Sequence, residues 1–233
     1  MRPCTVYSCQ VGNDKLTRAA VAERAAKIAD AEGLEAVTIR RLAQELGVTP
    51  MALYWHFKNK DELLLGLADH LLSDVRSTRD PRDPWREQLR AMVNALVQVM
   101  RDHPCLPALL RMVDKQGATQ FNRATNDALE LLGRAGFELR ESYWVASFLL
   151  QGAVGLVEMA PSCPTSMTPE QAAEWRRRKR IDLESLSASQ YPFVVQFART
   201  LEDEPDEDRY YGFGVDLIMA GIEAMAAKMP ASK

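Results

Sequence analysis

Cysteine and histidine, which build disulfides and most protein metal sites, are scarce in this sequence of 233 residues. They are Cys4, Cys9, Cys105, Cys163, His56, His70 and His103. None of the cysteines lies in a Cys-x-x-Cys pair, and the set has no spacing typical of a zinc site. We therefore expect reduced thiols, no bound metal and no cofactor.

Motifs of catalysis, secretion and membrane insertion are lacking as well. The chain has no glycine-rich phosphate loop and no nucleophile beside a general base, which disfavours an enzyme. The first residues, MRPCTVYSCQ, lack the apolar run of a signal peptide. The stretch 143–160 is apolar, but Gln151, Glu158 and two glycines within it indicate a buried helix rather than a membrane span. We expect a cytoplasmic protein without a membrane contact.

Charge is distributed unevenly along the chain. The formal net charge is −3, yet residues 1–60 hold nine Lys/Arg against six Asp/Glu and therefore carry +3. The remaining residues must carry −6. A basic end on an acidic body would orient a protein on DNA and discourage non-specific binding elsewhere.

Apolar residues recur at helical spacing through most of the sequence, and no stretch of strand length alternates with period two. We therefore predict an all-α fold. Residues 1–15 show no period and are predicted to be a mobile arm. Residues 16–60 are predicted to form a three-helix domain with a helix-turn-helix, and residues 61–233 a helical regulatory and dimerisation domain.

The stretch from Thr38 to Lys60 contains the signals of two short helices joined by a tight turn. Thr38 is a good N-cap, and Gly47 tolerates the left-handed conformation that ends a helix. Thr49 caps the second helix, and Pro50 takes its first position, where a missing N–H costs nothing.

The second helix presents an unusual set of residues to solvent. If Leu53 and Phe57 face inward, a rotation of about 100° per residue turns Met51 and Trp55 outward. The aromatic and basic residues here are Tyr54, Trp55, His56, Lys58 and Lys60. Such a mixture suits contacts with phosphates and base edges in a DNA major groove. The alternative is that the aromatics pack against another part of the same chain.

Two segments, IRRLAQELGV and LYWHFKNKDELL, resemble the DNA-binding domain of the tetracycline-repressor (TetR) family of transcription regulators. The resemblance implies that Arg40 contacts a base and Thr38 a backbone phosphate. It places Thr49, Pro50 and Met51 at base edges and thymine methyl groups. It also implies phosphate contacts for Tyr54, Trp55, His56 and Lys60, and Lys58 completes the expected DNA-binding set.

Two positions depart from the founding member of that family. Pro50 stands where the founding member has a polar amide, so we expect a different operator sequence. Arg76 stands at the position of a metal-chelating histidine, so we expect neither tetracycline nor magnesium to bind.

Helical patterns continue after Lys60. They cover 60–75, 85–103, 107–114, 119–134, 138–159, 168–186, 191–200 and a final helix from about 208. The first of them starts without a flexible linker and is therefore predicted to act as a rigid lever. Five consecutive basic residues, 176–180, encircle their helix, which favours a solvated helix over a second nucleic-acid contact.

The final helix and the helix 138–159 are the expected dimer interface. Apolar residues from Tyr211 to Met229 form a heptad-like seam, and the resemblance implies a four-helix bundle between two copies. The predicted interface residues are Gly152, Gly155, Leu156, Met159, Gly214, Val215, Ile218, Gly221, Ile222 and Met225. The alternative is that these faces close the monomer's own core. A homodimer would read a palindrome with half-sites about 34–36 Å apart or a multiple of that.

Methionine and aromatic residues are frequent in the helices after residue 85. The residues predicted to line a cavity are Met92, Leu96, Met100, Met112, Phe121, Trp144, Phe148 and Gln151. The resemblance implies that a small hydrophobic inducer binds there, and a filled core is the alternative. The sequence thus predicts a DNA-binding transcription regulator, a ligand-released repressor of a palindromic operator that acts as a homodimer. A repressor or activator without an inducer is the other reading.

Overall fold

The computed structural model describes residues 16–75, 80–160, 167–202 and 205–229. In these ranges the backbone forms eleven α-helices, four short 3-10 helices and no strand, so the predicted all-α fold is confirmed. The α-helices are α1 Arg18–Glu32, α2 Ile39–Leu46, α3 Pro50–Tyr54, α4 Lys60–Leu71, α5 Trp85–Asp102, α6 Leu106–Met112, α7 Thr119–Arg134, α8 Leu139–Glu158, α9 Pro169–Glu184, α10 Pro192–Ala198 and α11 Glu207–Ala226. The predicted arm 1–15, Arg76, Cys4, Cys9 and Cys163 lie outside the described residues.

Capping residues set most of the helix limits where the sequence predicts them. The side chain of Thr17 accepts a hydrogen bond from the backbone N–H of Ala20 and starts α1. Thr38 starts α2 in the same way, and Gly47 ends it with φ 65°, a conformation that few other residues adopt. Larger differences occur at helix ends: α4, predicted over 60–75, stops at Leu71 and continues as the 3-10 helix Leu72–Val75, and α9 stops at Glu184 rather than at residue 186.

The described residues pack into two units. Of the described residues, one unit contains 16–73 and 103–121, and the other contains those from 74 to 102 and from 122 to 229. The first unit therefore contains α1 to α4 and α6, while α5 and α8 to α11 belong to the second. The predicted domain boundary at Lys60 stays a prediction. Packing places α4, the helix that begins at this residue, in the same unit as the helix-turn-helix.

The first unit is built around α1 and α4, which pack against each other. Its fully buried side chains include Leu42 of α2, Leu53 of α3, Leu63 and Leu67 of α4, and Phe57 in the connection between α3 and α4. A Cβ on Gly66 would lie 2.5 Å from Cε1 of Phe57. Gly66 is thus the residue of α4 that lets the Phe57 ring enter this core.

The second unit has α5, α8 and α11 packed against one another. Leu89 of α5, Ala153 of α8 and Met219 of α11 are buried there. Ion pairs between α5 and the residues of α11 support the same arrangement, one of Arg90 with Asp216 and one of Arg101 with Asp208 at 3.0 Å. The helices α9 and α10 pack against each other. In the described part of the chain, no helix combines the length and the apolar character that a membrane crossing needs.

Candidate nucleic-acid interface

The recognition helix α3 is short and is anchored from one side. The hydroxyl of Thr49 accepts a hydrogen bond from the N–H of Ala52 at 3.4 Å, and Pro50 takes the first helical position. Leu53 is fully buried, and Phe57, one helical step further along, is fully buried as well. The opposite side of the helix must therefore face away from the unit's core.

Solvent exposure of that opposite side confirms the predicted orientation. Trp55 is 85% exposed, Met51 67% and Tyr54 48%. The alternative that these aromatics pack within the chain is therefore wrong for Trp55, the largest of them. An exposed indole and thioether on a protruding helix are costly for a surface that meets water alone.

Basic side chains beside α3 differ in whether they are already paired. Arg41 donates to Glu45 and to Glu32, at 3.1 and 3.0 Å. Within the described ranges, Arg40 and Lys58 are both exposed and have no ion-pair partner. The neighbours Arg40 and Arg41 on α2 thus differ in their surroundings, since Arg41 is held by two acidic partners and Arg40 has none within the described ranges.

Lys60 and Thr38 have partners of their own. The ammonium of Lys60 lies 3.2 Å from Oε2 of Glu35. The hydroxyl oxygen of Thr38 accepts the N–H of Arg41 at 3.1 Å, which leaves its O–H available as a donor. His56 is half-buried, two residues after the end of α3. The ten predicted DNA contacts therefore lie on one stretch of the first unit, and their binding to DNA stays a prediction.

Two residues of this region were missed by sequence reasoning. The guanidinium of Arg18 on α1 donates to the carbonyl of His56 at 2.7 Å and pairs with Glu62 of α4 at 3.1 Å. The other carboxylate oxygen of Glu62 accepts the N–H of Lys58 at 2.9 Å. The backbone N–H of Lys58, and next the Arg18 guanidinium, lower the pKa of Glu62 below its ordinary value. The signal available in the sequence was a charged residue in the first turn of a helix, which is Arg18 in α1 and Glu62 in α4.

The predicted dimer residues fall on two sides of α8 and α11. Val215 and Ile222 are buried within the unit. A Cβ on Gly152 would meet Ile218 at 3.2 Å, and one on Gly214 would collide with Leu156. Gly152, Ile218, Gly214 and Leu156 therefore take part in the contact between α8 and α11 of one chain, and Val215 and Ile222 belong to the core of the same unit. The others are Gly155 and Gly221, where a Cβ would meet open space, and the exposed Met159 and Met225.

Large apolar side chains on the outer side of the same helices were not among the predicted dimer residues. Phe213 and Leu217 of α11 are 69% and 66% exposed, and Tyr143 and Phe148 of α8 are 58% and 76% exposed. The signal in the sequence was the four-residue spacing of Phe213, Leu217 and Gly221, which places them on one side of α11. The buried residues of this helix, such as Val215 and Met219, lie on another side. We call the exposed side chains Phe148, Phe213 and Leu217 the outer apolar face.

The predicted ligand residues are divided between the units. Met92, Leu96 and Met100 of α5 are buried in the second unit. Trp144, Phe148 and Gln151 of α8 are exposed. In the first unit, Met112 is 56% exposed and Phe121 is half-buried. Contact of any of these eight residues with an inducer stays a prediction.

An all-α chain with a capped helix-turn-helix and an exposed aromatic and basic recognition helix has the architecture of a DNA-binding transcription regulator. Residues 21–67 match the family model of bacterial regulatory proteins of the tetR family. Residues 78–226 match the tetracyclin repressor-like C-terminal domain. The chain belongs to the TetR family. This confirms the resemblance and the prediction of a transcription regulator. The relatives that it matches are regulators and not enzymes.

Known relatives match nearly the whole chain. The class C tetracycline repressor protein of Escherichia coli is 32% identical over 218 residues, which are 91% of this chain and 93% of the relative. The structure of ActR from Streptomyces coelicolor with actinorhodin has a TM-score of 0.74 at 28% identity, covering 91% and 99% of the two chains. BioQ with its double-stranded DNA operator has a TM-score of 0.58 at 26% identity, covering 90% and 99%; the BioQ protein is from Mycobacterium smegmatis.

Proposed function

We propose that this regulator is a cytoplasmic repressor that binds a palindromic operator as a homodimer and leaves it when a small hydrophobic molecule binds. The observation that carries the DNA part is the exposed side of α3 with its flanking residues. There, Trp55 and Met51 face solvent beside the unpaired cations Arg40 and Lys58. A cation that has no carboxylate partner can contact a phosphate or a guanine edge without first breaking an ion pair.

Sequence-specific contact is assigned to the start of α3 and to α2. Thr49, Pro50 and Met51 are all exposed at the N-terminal end of the recognition helix, the end that enters the groove in helix-turn-helix proteins. Pro50 offers a ring of CH groups and Met51 a thioether, so apolar contact with thymine methyl groups fits both. Arg40 is the residue with the donors for a guanine.

The homodimer is supported by the outer apolar face of α8 and α11. Its side chains are large and exposed in the single chain, and Gly155 and Gly221 on the same helices have no Cβ to hold a second backbone away. A single recognition helix contacts few base pairs, whereas two copies related by a two-fold axis read both halves of a palindrome. The partner proposed for this face is therefore a second copy of the chain.

An inducer is supported by the composition of the second unit and by one relative. Met92 and Met100 of α5 are flexible, polarizable core residues of the kind that adapt to an apolar guest. ActR, which shares the fold over nearly the whole chain, has been solved with actinorhodin bound. An inducer acts by binding one of two conformations more tightly, and the coupling energy is typically about 1–3 kcal/mol.

Selection of bound duplexes from a random pool tests the DNA part of the proposal. The purified protein is expected to enrich a palindrome whose half-sites are separated by about one helical turn or a multiple of it. Enrichment of a single unpaired half-site would contradict the homodimer. Absence of any enriched sequence would contradict sequence-specific binding.

Calorimetry separates the ligand-released repressor from a regulator with a filled core. Hydrophobic metabolites and drugs are titrated into the protein, and each binder is then added to the complex with the selected operator. A binder that releases the operator supports the proposal. The alternative without an inducer predicts no saturable heat and an operator complex that none of the compounds changes.

A further inference from the structure

The connection between α3 and α4 carries several of the expected DNA contacts on very little local structure. It runs from residue 55 to 59 and includes Trp55, His56 and Lys58. The helix before it has five residues, of which Leu53 is the buried one. Leu53 and Phe57 are buried, whereas Trp55 and Lys58 are exposed, so apolar packing holds this segment from one side.

Arg18 connects the start of α1 to this segment. Its Nη1 donates to the carbonyl oxygen of His56 at 2.7 Å, and its guanidinium carbon lies 4.4 Å from the centre of the Phe57 ring. The same nitrogen lies 3.1 Å from Oε1 of Glu62. A planar guanidinium can stack on a ring and donate from its edge at the same time, which an ammonium cannot do.

Glu62 connects α4 to the same segment from the other side. Its Oε2 accepts the backbone N–H of Lys58 at 2.9 Å, and its own N–H donates to the side chain of Asn59 at 2.7 Å. The carboxylate thus holds Arg18 with one oxygen and the connection with the other. Such multiple charge-assisted bonds fix geometry more firmly than an isolated surface ion pair does.

We propose that Arg18 and Glu62 are positioning residues for operator binding. Together they tie the connection after α3 to α1 and to α4, so that Trp55 and Lys58 meet the DNA in a fixed orientation. The inference rests on the proposed operator binding. It assigns to Glu62, an acidic residue beside the DNA-binding surface, a favourable effect on binding that its charge alone would not give.

Charge alone makes the opposite prediction, and this decides between the two explanations. An acidic side chain near phosphates repels them, so its neutralisation should tighten binding to all DNA. Glu35 is the matched control, because it is exposed, belongs to the same unit and pairs with the side chain of Lys60. Within the described ranges, Glu35 accepts no bond from the backbone of the connection.

The experiment measures the affinity of the full-length protein for the selected operator and for a random duplex, at several salt concentrations. Glu62→Gln and Arg18→Ala are each expected to weaken operator binding about tenfold, as expected for the loss of a charge-assisted hydrogen bond. The double variant should lose little more than either single variant, because both act through one network. Binding to random DNA should weaken less than operator binding, because only the operator requires these contacts in one fixed register, and its salt slope should stay close to that of the wild type.

Glu35→Gln should instead tighten binding to both duplexes, and Arg18→Lys should bind the operator better than Arg18→Ala. The inference is overturned if Glu62→Gln tightens binding as Glu35→Gln does. It is also overturned if Arg18→Ala lowers the salt slope on both duplexes by about one phosphate, since Arg18 would then contact DNA itself. Thermal unfolding of Glu62→Gln, a substitution of nearly equal shape, shows that the variant is folded. A wild type that selects no sequence would overturn the proposed function as well.

Discussion

Lys60 and Glu35 form an ion pair at the edge of the expected DNA-binding surface, with 3.2 Å between the ammonium and Oε2. Lys60 begins α4, and Glu35 lies in the 3-10 helix Leu34–Ala36. The Glu35 side chain is 87% exposed, so the pair adds little stability and a phosphate can replace the carboxylate. The predicted phosphate contact of Lys60 therefore requires DNA to displace Glu35.

Lys60→Ala is expected to weaken operator and random DNA alike and to reduce the slope of log K against log salt by about 0.9, the value for one lost phosphate contact. Glu35→Gln should have the opposite effect on affinity, because the competing carboxylate is gone. Both variants are measured by fluorescence anisotropy on the two duplexes. An unchanged slope for Lys60→Ala would remove Lys60 from the phosphate contacts.

Arg40 and Arg41 provide a matched pair of substitutions on α2. Arg40→Ala should cost about 1–3 kcal/mol of operator binding and relax specificity at one base pair, as expected for a base contact. Arg41→Ala should change operator binding much less, because Glu32 and Glu45 already occupy that guanidinium. Repeating the selection with each variant locates the affected base pair. Equal losses on operator and random DNA would show that Arg40 contacts a phosphate.

Local chemistry explains how much of the helix-turn-helix the sequence could predict. Thr17, Thr38 and Thr49 accept backbone N–H groups within three residues, and Gly47 needs a positive φ that few other residues adopt. Such signals lie within one helical turn, so the starts of α1 to α3 could be predicted from the sequence. The end of α3 could not, because the helix stops at Tyr54, and Trp55 and Phe57 lie in the connection after it. Arg18 and Glu62 are separated by 44 positions, and no local pattern joins them.

The second unit shows a different reason for incomplete prediction. The period of α11 correctly groups Val215 with Ile222, but Phe213 and Leu217 form an equally apolar stripe on another side of the helix. A period identifies which residues share a face, not which face meets the core. The grouping of α6 with the helix-turn-helix depends on contacts such as Asp30 with His103, at 2.7 Å, which link distant segments.

Leu53 of α3 and Trp55, the residue that follows this helix, separate packing from binding. Leu53→Ala should lower the free energy of unfolding by about 2–5 kcal/mol, because Leu53 is fully buried. Trp55→Ala should leave the unfolding midpoint nearly unchanged and weaken operator binding, since the indole is 85% exposed. Chemical denaturation and operator titration of both variants check this. A Trp55→Ala protein with wild-type affinity would mean that the indole touches no DNA.

The outer apolar face predicts the effect of charge on self-association. Phe148→Glu and Leu217→Glu should each favour the monomer, because a carboxylate buried between two copies is unpaired. Operator affinity should fall with dimer content. Phe193→Glu is the control, since Phe193 of α10 is 82% exposed and lies outside this face. Sedimentation at several concentrations gives the dimer content, and dimers of wild-type strength in both variants would exclude this interface.

Cys105 should react slowly with thiol reagents in the native protein. It is buried at the start of α6, and its N–H donates to Asp30 at 3.2 Å. Burial, and next the Asp30 carboxylate, raise the pKa of the thiol well above its ordinary value. The thiolate is the reactive form. The rate at which a reagent labels Cys105 at pH 8 should therefore be set by the unfolding of the protein and should not rise with reagent concentration.

The same shift fixes the direction of a pH effect on stability. The pKa of the Cys105 thiol is higher in the folded protein than in the unfolded chain, where it is about 8.5. The contribution of this thiol to the free energy of unfolding is therefore complete below about pH 8.5 and is lost as the pH rises. Wild type should therefore lose stability faster above pH 9 than Cys105→Ala does, and denaturation at pH 7 to 10 measures the difference. Asp30→Asn should restore part of the native-state labelling by removing the carboxylate that opposes the thiolate. Identical labelling of Asp30→Asn and wild type would assign the whole effect to burial.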